Sequence, residues 1–168
     1  QGAVYAGARA VIAVDPVEFK REKALEFGAT HAFADIAEAT AFAQSITNGQ
    51  GADATIVSVG VLQPEYIGQA MASIRKAGTV VVPALGNARD VGVPIRMSEV
   101  TLYQKRLQGS LYGQSNPQFD IPNLLRMYQA GKLKLDEMVT TTYELGDIAQ
   151  AYDDMHAGKN IRGMVVFD

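Results

Sequence analysis

The sequence predicts an α/β fold built on a doubly wound parallel sheet, and three observations carry that prediction. Short apolar runs alternate with stretches of helical length and mixed polarity along the 168 residues. The connections between them are short and marked by Gly or Pro. Two of the apolar runs, residues 54–60 and 79–83, are near-continuous, as expected for parallel strands covered on both faces. A flavodoxin-like or other α/β sheet without a nucleotide satisfies the same pattern.

The elements follow in order. Residues 1–7 read as the end of a helix stopped by Gly7, and residues 10–15 as a strand. Pro16 suits a helix start, and residues 17–27 continue it to Gly28. Residues 31–34 form a short strand. A helix over 37–47 then ends at Asn48-Gly49. The strand over 54–60 precedes a helix over 64–76 that Gly78 is expected to end. The strand over 79–83 gives way to a loop over 86–97 and a last sheet strand over 107–112. Beyond a turn-rich joint at 113–117 come a helix near 121–130, a strand near 139–143, a helix over 147–156 and a closing strand over 163–167.

Composition excludes several classes. Hydrophobic residues make up 48% and charged residues 20%, ordinary for a globular chain. A net charge of -3 leaves no basic footprint for nucleic acid. No apolar run approaches the ~18 residues of a membrane span, and no signal-peptide pattern is visible. The absence of cysteine excludes disulfides and cysteine-ligated metal in this segment and fits a cytoplasmic protein. His31 and His156 lack partners at metal-ligand spacing. Ser45, Ser58 and Ser73 lack the G-x-S-x-G context of a nucleophile elbow. No catalytic residue and no metal ligand is therefore expected here.

The most informative segment is Val11-Ile12-Ala13-Val14-Asp15, a buried strand that stops on an acid. In a dinucleotide fold this acid meets the hydroxyls of the adenosine ribose, and its charge repels a 2′-phosphate. The competing reading is a solvated turn acid before Pro16. A G-x-G-x-x-G loop belongs about 20 residues upstream, yet only fourteen residues precede Asp15. The chain is thus expected to begin just past a phosphate loop, without the first strand of the sheet.

Four blocks then carry a family resemblance. Residues 7–15 lead into Lys20, Ala24 and Phe27-Gly28-Ala29-Thr30. Gly49-Gln50-Gly51-Ala52-Asp53 precedes the strand that ends at Gly60, and Ala77-Gly78-Thr79-Val80-Val81-Val82 follows. The tail carries Tyr143-Glu144-Leu145, Ile148, Ala151-Tyr152, Gly158-Lys159 and Ile161-Arg162-Gly163. In this order they resemble the C-terminal half of the medium-chain, zinc-type alcohol dehydrogenases, most of all the bacterial class that resembles liver-type alcohol dehydrogenase and mycothiol- or NDMA-linked enzymes.

The resemblance implies a Rossmann coenzyme domain over residues 1–112 and a segment, 113–168, that returns to a catalytic domain outside this chain. It implies NAD as cofactor, with zinc in the parent protein only, and an alcohol or aldehyde substrate. Asp15 and Lys20 would meet the adenosine ribose. Val59, Gly60 and Val61 would lie against the adenine and its ribose. Pro83, Ala84 and Leu85 would lie near the nicotinamide, although Pro83 lacks the N–H of the more usual valine. Ser110 and Leu111 would approach the carboxamide, Tyr112 would wall that pocket, and Arg162 would grip the pyrophosphate. Edge pairing through residues 107–111 would make a homo-oligomer. Alone, the segment is expected to be inactive.

Two further readings remain open at this level. A zinc-independent quinone or enoyl reductase of the same superfamily would share the fold, but usually carries basic residues where Asp15 stands. A non-catalytic dimerising module would need only the exposed edge strand.

Overall fold

The computed structural model describes residues 1–167. In chain order the helices are α1 (Gly2–Tyr5), α2 (Glu18–Glu26), α3 (Ile36–Ser45), α4 (Pro64–Ser73), α5 (Met97–Thr101), α6 (Pro117–Gln129) and α7 (Ile148–His156). The strands are β1 (Ile12–Val14), β2 (His31–Phe33), β3 (Ala52–Ile56), β4 (Ile74–Val82), β5 (Arg106–Gly109), β6 (Val139–Glu144) and β7 (Arg162–Val166). All four strand pairings are parallel. Two compact units result: Gln1–Ala34 with the stretch from Asn116 onward, and Asp35–Ser115.

In the first unit β1 pairs with β2, Ile12 facing His31 and Val14 facing Phe33. Helix α2 connects them, and Gly28 at φ 102° takes the left-handed turn that releases the chain into β2. The Thr30 hydroxyl both accepts from the Val11 N–H and donates to the Val11 carbonyl, at 3.0 Å each. The later part of this unit holds β6 beside β7, with α7 between them in sequence. Helix α6 starts four residues earlier than its apolar pattern implies. Asn116 caps it by accepting from the Gln118 N–H, and Pro117 stands at its first turn. The Gln1 side chain joins the two ends of the unit, donating to the Lys134 carbonyl at 2.9 Å and accepting the Lys134 N–H at 2.7 Å.

The second unit is a parallel sheet in the order β3-β4-β5. Its core gathers Val57, Ile67, Ala70, Met71, Ile74 and Val80, with Met71 and Val80 sealed from solvent. Each of the Val, Ile and Met side chains among them contributes about 1.5–3 kcal/mol on burial, Ala70 less.

The parallel α/β architecture expected from the sequence is present, but its strands fall into separate sheets. Among the described residues no strand hydrogen-bonds to both β1 and β3. That also corrects the expectation of a doubly covered strand at 54–60. β3 is an edge with a single partner, and Asp53, Ala54 and Ile56 are exposed. Boundaries shift as well, β3 ending at Ile56 where Gly60 was expected. Helix α4 stops at Ser73 instead of Lys76, because Ile74 turns extended to pair with Ala52 and is buried. The last sheet strand ends at Gly109, short of Tyr112, because Tyr112 enters the left-handed region at φ 46°. Helix α5 follows the expected loop, in a stretch where the sequence predicts no element.

Candidate functional site

The first unit positions Asp15, Lys20 and Arg162. Asp15 stands immediately after β1, and its N–H continues the sheet by donating to the Phe33 carbonyl at 3.1 Å. Its Oδ1 accepts the Val17 N–H at 2.9 Å, closing a tight turn around Pro16. Its Oδ2 takes no hydrogen bond from the described residues. The carboxylate therefore keeps one oxygen open for a ligand diol.

Lys20 lies two residues into α2 and runs over Gly158. A β-carbon placed on Gly158 would stand 3.5 Å from Lys20 Cε and 3.7 Å from its Nζ. Gly158 begins the loop that leads into Arg162, the first residue of β7. That loop is firmly held. Asn160 is buried and its Nδ2 donates to the Tyr143 hydroxyl at 3.1 Å, while Tyr143 donates to Asp154 Oδ2 at 3.0 Å. Lys159 Nζ lies 2.9 Å from Asp154 Oδ1, and the Ile161 N–H donates to Thr140 Oγ1 at 3.0 Å. The Lys159 hydrogen bond, supported by that of Tyr143, holds the Asp154 carboxyl below the ordinary 3.8. The same bond holds Lys159 above 10.5. Arg162 itself is exposed at the end of this braced loop.

The second unit brings together the other three expected groups at the carboxyl edge of its sheet, where ligands of open α/β sheets bind. The Val57 N–H donates to the Val81 carbonyl at 2.9 Å. Beyond β3 the chain passes Val59, Gly60 and Val61, all exposed, and returns to the sheet when the Leu62 N–H donates to the Leu85 carbonyl at 2.9 Å. Leu62 and Gly86 form a parallel bridge there. Pro83 and Leu85 are exposed and Ala84 is half-buried. The Ser110 N–H donates to the Val82 carbonyl at 3.0 Å, so Ser110 extends β5 by one bond. Leu111 and Tyr112 project beyond it at 73% and 85% exposure, which leaves Tyr112 an open face and not yet a wall.

Sequence reasoning missed the supports of these segments. The Glu99 side chain pairs with Lys105 Nζ at 3.0 Å, and the same ammonium donates to the Met71 carbonyl at 2.5 Å. Both side chains are nearly buried, at 14% and 7% exposure. Burial pushes the Glu99 carboxyl up, but the hydrogen bonds from Lys105 and the Arg96 N–H outweigh it and hold it below 4.5. The Gln108 and Gln114 amides both donate to the Gly109 carbonyl, at 2.8 and 3.0 Å, where β5 ends. No local pattern announces either arrangement.

No group of three or more His, Cys, Asp or Glu residues among the described residues could hold a metal ion. These residues do not fit a zinc site. An open carboxylate oxygen and an exposed strand edge are both present.

A family model described as zinc-binding dehydrogenase matches residues 1–130. The chain belongs to the zinc-binding dehydrogenase family. Among curated relatives, the NDMA-dependent alcohol dehydrogenase of Amycolatopsis methanolica is 49% identical over 166 residues, covering 99% of this chain and 45% of the relative. Alcohol dehydrogenase B of Mycobacterium tuberculosis is 48% identical over 165 residues, covering 98% and 44%. Among solved structures, benzyl alcohol dehydrogenase from Acinetobacter calcoaceticus superposes with a TM-score of 0.88 at 28% identity, over 99% of this chain and 45% of that one. This zinc-binding dehydrogenase chain thus spans less than half the length of the relatives it matches. No helix in its described residues is long and apolar enough to cross a membrane.

Proposed function

We propose that this chain is most of the coenzyme domain of an NAD-dependent alcohol dehydrogenase whose zinc ligands lie in another part of the protein. Asp15 carries the reading. It ends a strand, keeps Oδ2 free of hydrogen bonds from the described residues, and is braced by the Val17 N–H. A carboxylate so held accepts hydrogen bonds from both hydroxyls of a ribose and repels a 2′-phosphate.

The remaining residues divide the ligand among them. Lys20 would support the same ribose, and Arg162 would pair with the pyrophosphate through its planar fork. Val59, Gly60 and Val61 would face the adenosine half. Ala84, Leu85, Ser110 and Leu111 would offer backbone groups to the carboxamide, with Tyr112 closing over it. Pro83 offers a carbonyl only. Bound NAD would supply the hydride acceptor for an alcohol, the substrate class that the relatives' names support.

Pairing of two copies through β5 is part of the same proposal. β5 is an edge strand with Leu107 44% exposed, and an unpaired apolar edge invites a partner. The deciding experiment is steady-state kinetics of the full-length protein with a panel of primary alcohols and either coenzyme. Alcohol-dependent reduction of NAD, with NADP much the poorer substrate, is expected. A preference for NADP would overturn the assignment of Asp15 and favour the reductase reading.

A further inference from the structure

Asp15 is not the only charged residue at the end of β1. Arg21, one turn into α2, reaches back over the turn, and its Nη1 donates to the carbonyls of Asp15 and Pro16 at 2.8 Å each. The guanidinium is half-buried, and among the described residues it forms no ion pair with any acid. Lys23 of the same helix instead pairs with Glu26 along the helix.

We infer that Arg21 is a positioning residue for the coenzyme-discriminating carboxylate. This rests on the proposed role of Asp15. Three bonds define the turn: the Asp15 N–H to the Phe33 carbonyl, the Val17 N–H to Asp15 Oδ1, and the Asp15 carbonyl to Arg21. The first anchors the main chain to the sheet. The second sets the side-chain rotamer. The third, with its twin on Pro16, stops the peptide planes on either side of Pro16 from rotating. Because Pro16 has no N–H, the Asp15–Pro16 peptide plane is held through its carbonyl by Arg21, while the Pro16–Val17 plane is held both by Arg21 and by the Val17 N–H. Without the clamp the turn loses one of its restraints, and the carboxylate is held less firmly against the ribose diol and against a 2′-phosphate. One terminal nitrogen of the guanidinium serves both carbonyls.

The test uses the full-length protein and three variants. Arg21→Met keeps the stem and removes both donors. Arg21→Lys keeps a cation with a shorter, unforked reach, and Asp15→Ala is the control. For Arg21→Met, KM for NAD is expected to rise about tenfold, with kcat changing less than about twofold because the adenosine end is remote from the reacting carbon. The preference for NAD over NADP is expected to narrow, the thermal midpoint to hold, and Arg21→Lys to recover part of the loss. If Asp15→Ala alters coenzyme preference and Arg21→Met does not, the clamp is refuted while the coenzyme reading stands. If Arg21→Met lowers the thermal midpoint and raises KM with an unchanged preference, Arg21 is merely structural and the inference fails. If Asp15→Ala is silent, the coenzyme reading fails and takes the clamp with it.

Discussion

Lys20 crosses Gly158 so closely that a β-carbon on the glycine would touch the lysine stem at 3.5 Å. Contact at that distance is ordinary; the constraint is in the backbone, because Gly158 sits at φ 67°. This one residue lets the chain leave α7, pass beneath Lys20 and enter the loop to Arg162. Gly158→Ala is expected to cost about 1–2 kcal/mol from the left-handed conformation alone. The midpoint of denaturant unfolding reads it directly, and an unchanged midpoint would show that the turn relaxes.

Asp15→Ala removes the charge and leaves the strand end. Charge-assisted hydrogen bonds contribute about 1.5–3 kcal/mol each, so NAD binding should weaken about tenfold or more. NADP binding should improve relative to NAD. Titration of the full-length protein with each coenzyme separates the two effects. Equal weakening for both would mean that the residue supports the fold without reading the ribose.

The Glu99–Lys105 pair predicts an acid limit to stability. Glu99 titrates below 4.5 in the folded chain. Its contribution is therefore full above the ordinary value and is lost as pH falls through the folded one. Glu99→Gln should flatten that part of the stability–pH profile. Lys105→Met is the harsher change, leaving a nearly buried carboxylate with its cation gone, at a cost on the order of 2 kcal/mol near neutral pH. Thermal melts between about pH 3 and 7 distinguish the two variants.

Gly86 marks a close approach that no side chain can share. A β-carbon there would lie 2.6 Å from the Leu62 carbonyl oxygen. Gly86→Ala must push the two segments apart and sever the Leu62–Gly86 bridge, with an expected loss of about 1–3 kcal/mol. Under the proposed function, coenzyme binding should weaken too, since the bridge spans the edge assigned to the nicotinamide half. A crystal structure of the variant with the bridge intact would contradict this.

How far the sequence could be read depended on the range of the interactions. The strand stopping at Asp15, the helix start after Pro16 and the stop at Gly28 are encoded within a few residues, and all appear where expected. The segments around Leu85 and Ser110 were legible as strand ends for the same reason, whereas β3 ends at Ile56, short of the expected Gly60. Helix α5 was not legible. It is five residues long, and its Glu99 is held by Lys105, which also reaches the Met71 carbonyl in another helix. Arg21 was legible only as one charge in a charged helix.

By itself, then, the sequence determined the identity and order of the elements apart from α5, and the acid at the end of β1, because periodicity and turn chemistry are local. Tertiary structure alone decided which oxygen of Asp15 stays open, where β5 stops, that β3 is an exposed edge, and that Arg21 and Lys20 fold back onto the Asp15 turn and Gly158. The crossing of Lys20 over Gly158, the edge position of β3 and the stop of β5 depend on groups far apart along the chain or on conformations, such as Tyr112 at positive φ, that no local preference favours. The contacts of Asp15 and Arg21 are close in sequence but depend on rotamers that periodicity does not specify.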